Sequence, residues 1–186
     1  MSQLSYTDTP AVAFAGMKAD GTEDVVESRI STEATDAIPF GCFVVSDSVS
    51  AGFDEAAKMP SASSGQNFLG IVLHSHAYAL QWTDLQGNVH GDLTSAGLAP
   101  KAMLNVLVKG RCWVNCETAA KPGDPVFVRY TTDGGSPALT QKGQCGNASG
   151  TGRTIDMSAK ARFLSTLSAP AAGATGLALI EVDMTA

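Results

Sequence analysis

From Met103 to Cys116 the even positions, Leu104, Val106, Val108, Gly110, Cys112, Val114 and Cys116, are apolar or small. The odd positions Asn105, Lys109, Arg111 and Asn115 are polar, with Leu107 and Trp113 as the exceptions. A helix would scatter these two sets around its circumference, whereas a strand sends alternate side chains to opposite faces. The segment therefore predicts a long strand with one buried face, bulged or bent at Gly110. Shorter strand-like runs follow the same rule: "AVAFAGM", "DVVESRI", "CFVVSD", "NFLGIVLHSH", "PVFVRY" and "GLALIEVDM". In the last, Ala178, Ile180, Val182 and Met184 share one face and Glu181 and Asp183 the other; in "FLGIVLHSH", Leu69, Ile71 and Leu73 share a face.

Gly, Pro, Asp and Ser separate these runs, and almost nothing has helical periodicity. In "TAAKPGDP", Pro122-Gly123 suits the centre of a type II turn that folds Val126 to Tyr130 back towards the long strand. Residues 131–158 are rich in Gly, Ser, Thr and Asn and predict long surface loops around at most one short strand. There is no internal repeat and no linker. The expectation is one all-β domain over residues 23–186, a sandwich or barrel with long Gly-rich loops. Residues 1–22 form either an extended amino-terminal arm, with Phe14 and Met17 as apolar contacts, or an ordinary first strand.

Charge and cysteine content narrow the function classes. The 186-residue chain has 12 Lys plus Arg against 18 Asp plus Glu, a net charge of −6, and no basic run, which argues against binding nucleic acid through its phosphates. The first residues lack the basic and long apolar regions of a signal peptide, and no apolar run approaches the ~18 residues of a membrane span, so export and membrane insertion are not expected. The cysteines, at 42, 112, 116 and 145, contain no Cys-x-x-Cys pair. On a strand Cys112 and Cys116 lie ~13 Å apart, beyond the ~7 Å a disulfide tolerates. All four are expected to be free, packing as small hydrophobes in a protein made in a reducing compartment.

Candidate chemistry is sparse. His74 and His76 fall on one side of a strand, as in a cupin metal site, but no carboxylate follows in "AYALQW" and the only later histidine is His90, in a turn. They are expected to be solvated or interfacial. No G-x-S-x-G and no glycine-rich phosphate loop occurs. No catalytic residue, metal or cofactor is expected. Trp82 and Trp113 are candidate interface anchors, or caps on the core.

In order along the chain, "AFAGMKADG" (13–21), "IPFGCFVV" (38–45), "AAKMP" (56–60), "FLGIVLHSHAY" (68–78), "VLVKGRCWVNCE" (106–117), "KPGDPVFVRY" (121–130) and "LALIEVDM" (177–184) resemble the structural cement, or decoration, proteins of tailed bacteriophage capsids. The resemblance implies a jelly-roll-like β domain that assembles as a homo-oligomer, dimer or trimer, on the outside of an icosahedral head. There it would clamp neighbouring major capsid subunits, after synthesis in the host cytoplasm. It brings no catalytic residue. This chain departs from the family pattern in its pair of cysteines and in the Gly-rich "QKGQCGNASGTGR" (141–153). A tail or fibre component, and a cupin-like jelly roll holding a metal at His74 and His76, remain as alternatives.

Overall fold

The computed structural model describes residues 13–19, 23–34, 37–75, 82–83, 89–90, 97–98, 101–132 and 141–185, with backbone pairing alone at 82–83, 89–90 and 97. Its strands are β1 (Val25–Ser31), β2 (Ile38–Pro39), β3 (Phe43–Ser46), β4 (Ala56–Lys58), β5 (Phe68–Val72), β6 (Trp82–Thr83), β7 (Val89–His90), β8 (Gly97–Leu98), β9 (Met103–Cys116), β10 (Phe127–Arg129), β11 (Cys145–Gly146), β12 (Thr154–Asp156), β13 (Ala161–Phe163) and β14 (Gly176–Asp183). A single helical turn, α1 (Ser48–Ala51), is the one helix among the described residues. The fold is all-β, as the alternation predicts, and jelly-roll-like, as the resemblance implies.

Strand β9 organises the fold because it belongs to two structures at once. Its first half closes a ring, in which β1 pairs with β4, β4 with β3, β3 with β5, β5 with β9, and β9 with β1. A ring has no free edge, so every strand in it has a hydrogen-bonded neighbour on each side. The interior of this small barrel is aliphatic: Val44, Ala57, Leu69, Val72, Leu104 and Val106, stoppered by Ile38, Phe40, Met59 and Leu98. The short pair β2–β8 supplies Ile38 and Leu98 to that stopper. The second half of β9 runs beyond the ring and pairs with β14, which pairs with β13; Cys116 pairs with β11, and β10 and β12 follow outward. These strands enclose a second core in which Cys112, Val114, Val126, Val128, Met157, Phe163, Ala178 and Ile180 pack against Phe43, Ile71, Leu73 and Leu107 on the outside of the barrel.

The second core corrects the expected face of β9. All the even positions are buried, yet Leu104 and Val106 point into the barrel while Cys112, Val114 and Cys116 point into the second core, which Leu107 enters from an odd position. One extra residue changes the parity: Val26 pairs with Leu107 and Val25 with Lys109, a bulge beside Gly110. Gly110 has φ +135°, and a side chain there would collide with the Asp24 carboxylate. The same correction holds in β5. Ile71 and Leu73 enter the second core, but Leu69 lies in the barrel with Val72, because Gly70, at φ +149°, shifts the register.

The turn at Pro122-Gly123 forms as expected, with Gly123 at φ +86° and the Asp124 amide donating to the Lys121 carbonyl at 3.0 Å. Val126 and Val128 do return to the core beside β9, but β10 pairs with β11 and β12 and not with β9 itself. The stretch read as surface loop holds two short strands, β11 and β12, where at most one was expected. Part of it is interior: Cys145 is buried, and a Cβ on Gly143 would lie 2.7 Å from the Phe43 carbonyl oxygen. Composition alone concealed this, because a glycine that lets two backbones touch looks like a glycine that lets a loop bend.

Candidate functional site

Four of the six residues singled out by sequence are described in full, and the fold gathers them along one edge of β9. Residues 13–19 lie beside its second half. The Gly16 amide donates to the Trp113 carbonyl at 2.8 Å, the Trp113 amide to the Met17 carbonyl at 2.9 Å, and the Ala19 amide to the Arg111 carbonyl at 3.0 Å. The Met17 amide turns back to the Phe14 carbonyl at 3.0 Å, which leaves the Phe14 ring 46% exposed. The His74 amide donates to the Gly16 carbonyl at 2.8 Å, so the residue after β5 is tied to the same segment. Gly16 allows this approach: at φ +79°, any Cβ would sit 2.7 Å from the His74 nitrogen and 2.9 Å from the Phe40 Cβ.

His74 is half-buried between two rings, with its centroid 4.6 Å from Phe14 in an edge arrangement and 4.5 Å from Phe40 in a tilted one. An imidazole so placed is an aromatic spacer between an exposed ring and a buried one. His76 lies outside the described residues, and Trp82 is described only through its pairing with His90. Among the described residues no group of three or more His, Cys, Asp or Glu side chains is placed to hold a metal. Trp113 is half-buried on the face of β9 opposite Cys112 and Val114.

Two features escaped the sequence reading. The first is the outer face of β1. Val26 is 45% exposed, Ile30 39%, and Met103, which pairs with Ile30, 50%. Ordinary strands turn their apolar residues inward, but here Glu27 and Arg29 occupy the alternate positions, form an ion pair and face the barrel side with Leu104 and Val106. The alternation in "VVESRI" was legible, but which face met solvent was not. The second is a buried ion pair, with Arg129 Nε and Nη2 donating to the Glu117 carboxylate at 2.6 and 2.7 Å and both side chains at most 6% exposed. Its sequence signal is a charge on the apolar run "VFVR", which only a partner makes tolerable.

The outer face of β9, β13 and β14 is charged, and ion pairs neutralise part of it. A shallow groove of about 390 Å³ is lined by Lys109, Arg111, Lys160, Arg162, Glu181 and Asp183. Lys109 lies 3.6 Å from Asp183 and Arg111 3.3 Å from Glu181, which Arg162 also reaches. Burial works against the Glu181 charge, but hydrogen bonds from Arg162 and Arg111 hold its pKa below the ordinary carboxylate value. Counting Glu23, which lies 3.5 Å from Lys109, the groove sets four cationic side chains against three acidic ones, a surplus of a single positive charge.

Residues 2–183 match the family model of the structural cement protein (E217 gp24/Pam3 gp6). No curated protein matches the sequence. Among solved structures, a chain from the capsid of Myoviridae phage XM1 superposes with a TM-score of 0.58 at 16% identity, over 98% of this chain and 94% of that one. At that identity the likeness speaks to the fold, which the two share.

Proposed function

The chain belongs to the phage structural cement proteins and so serves as a structural, capsid-associated component of the virion; from that premise we propose that it sits on the outer surface of the head as a homo-oligomer and bridges neighbouring major capsid subunits, without catalysing a reaction. The observation that carries the proposal is the exposed apolar strip of Val26, Ile30 and Met103 on the barrel wall. Contact between permanent copies favours such aliphatic faces, since burying them recovers ~25 cal/mol per Å² and needs no charge matching. We assign this strip to the contact between copies. A second surface, where Phe14 stands exposed over His74 beside Met17 and Trp113, is assigned to the capsid, with the residues ahead of Ala13 as the arm. His76 and Trp82 are assigned to the same contact by their place in the chain after β5.

A clamp of this kind holds energy only where two capsid subunits already stand at the mature spacing. It therefore binds assembled shells better than free subunits, and binding to the assembled state alone shifts the equilibrium towards it. The experiment is to mix the purified protein with undecorated expanded heads, pellet them and follow DNA retention on heating. Co-sedimentation with retention extended to higher temperature is expected. Loss of co-sedimentation on deleting residues 2–12, with the folding transition unchanged, is expected from the arm. Failure to co-sediment, or co-sedimentation with no gain in retention, would leave a tail component as the better assignment. Lysine at positions 26 and 30 should lower the oligomeric state while the chain stays folded; an unchanged oligomer would remove the strip from the proposal.

A further inference from the structure

Three of the four thiols, Cys112, Cys116 and Cys145, belong to the second core, and the last two stand side by side. Cys145 is the register partner of Cys116 where β11 meets β9 in parallel. Both side chains are buried and both enter the second core, so they leave the sheet on the same face. Neighbouring strands are ~4.8 Å apart, and a disulfide spans α-carbons ~4.4–6.8 Å apart. The backbone is therefore already within bridging distance. From this register we infer that Cys116 and Cys145 are a latent disulfide pair, which a small-molecule disulfide closes within the folded chain.

The surroundings favour this pair over any other. Cys112 is pushed up to about 12 by burial, and Cys42 likewise by burial and by the Glu117 charge, so neither has thiolate character near neutral pH. Cys116 is shifted downward, foremost because the Cys145 thiol donates to it, with further help from Thr118. Cys116 is then the attacking sulfur. Its thiolate displaces one thiolate from the oxidant RSSR and forms a mixed disulfide; the Cys145 thiol loses its proton, attacks the Cys116 sulfur and expels the second RS⁻. The balance is two protein thiols oxidised and one RSSR reduced to two RSH. Access requires local opening, for which β11 is suited, having one register partner on β9 and two on β10. The closed bond would tie residues 117–144 into a loop and remove chain freedom from the unfolded ensemble.

The test uses the full-length protein and oxidised glutathione, without any capsid, so its outcome is independent of the cement assignment. After native oxidation, denaturation and alkylation, the expected result is a fall from four alkylated thiols to two, with no retained glutathione. A tryptic peptide linking residues 112–129 to 143–153 through Cys116 and Cys145 is expected, together with a thermal midpoint raised by several degrees until dithiothreitol is added. Cys145→Ser, or Cys145→Ala if the serine variant does not fold, should stop at one glutathione on Cys116 with no rise in midpoint. Four alkylatable thiols after oxidation, a link to Cys42 or Cys112, or a link only between two chains would overturn the inference.

Discussion

The barrel and the sheet that leans on it share β9 yet are held together in different ways. The barrel's hydrophobic cluster is aliphatic, aromatic and thioether, with the part-buried Glu27–Arg29 pair on the same side of β1, and its strands leave no free edge. The second core has no closed ring. In it, Cys112, Cys116 and Cys145 replace larger hydrophobes, and Arg129 and Glu117 are buried as a bidentate pair at its margin. Closure by backbone hydrogen bonds needs only register and small residues where strands touch. An open sheet needs side chains that specify one another, and a buried ion pair does so because either charge alone is costly.

The largest expected effect is at Gly70. A Cβ there would overlap the Leu107 carbonyl, which belongs to the backbone of β9 and has no rotamer to escape into, and φ +149° is itself hostile to a side chain. Gly70→Ala should cost ~4 kcal/mol or more. Gly123→Ala, also at positive φ but with open space around it, should cost ~1 kcal/mol. Urea titration of the two variants checks this; equal losses would mean that barrel closure does not depend on the contact.

Next comes the ion pair. Glu117→Gln leaves the Arg129 guanidinium buried beside an uncharged partner and should lose ~3–5 kcal/mol. Arg129→Met with Glu117→Leu together should recover much of that loss. A double variant as unstable as the single one would indicate that the pair also positions β10 against its neighbours.

The smallest effect sharpens the comparison through pH. At the barrel rim Asp47 accepts from Lys58 at 2.6 Å and from the Thr32 hydroxyl at 2.7 Å, and the Lys58 hydrogen bond, foremost, holds its pKa below the ordinary aspartate value in spite of some burial. A carboxyl with a lower pKa in the folded state than in the unfolded one contributes stability above the unfolded value, and that contribution is lost as pH falls through the folded one. Thermal midpoints should thus decline below about pH 4, and Asp47→Asn should flatten part of the decline. An unaltered slope would assign acid sensitivity to carboxylates of the other region, such as Glu181.

Much of this was legible in the chain. Strands β1, β3, β5, β9, β10 and β14 fall within the runs that alternation marks, and the turn at Gly123 and the bulge at Gly110 sit where those glycines predict. Two features of the fold lie beyond it. Alternation puts Leu69 with Ile71, although it lies in the other core, because a period of two names a residue's face without naming what covers it; composition hides β11 and β12, because it does not tell a glycine at a backbone contact from one in a loop. Val26 and Ile30 make the point from the other side, being apolar, on one face of β1 and exposed.

The amino-acid sequence by itself determined the all-β class, the long central strand, the turn chemistry and the kinship to capsid cement proteins, because each is carried by neighbouring residues or by their order along the chain. Only the tertiary structure decided that β9 serves two cores, that Arg129 finds Glu117, and that Cys145 stands opposite Cys116. Those facts depend on which distant segments meet, and the reach of a side-chain pattern ends with the strand that carries it.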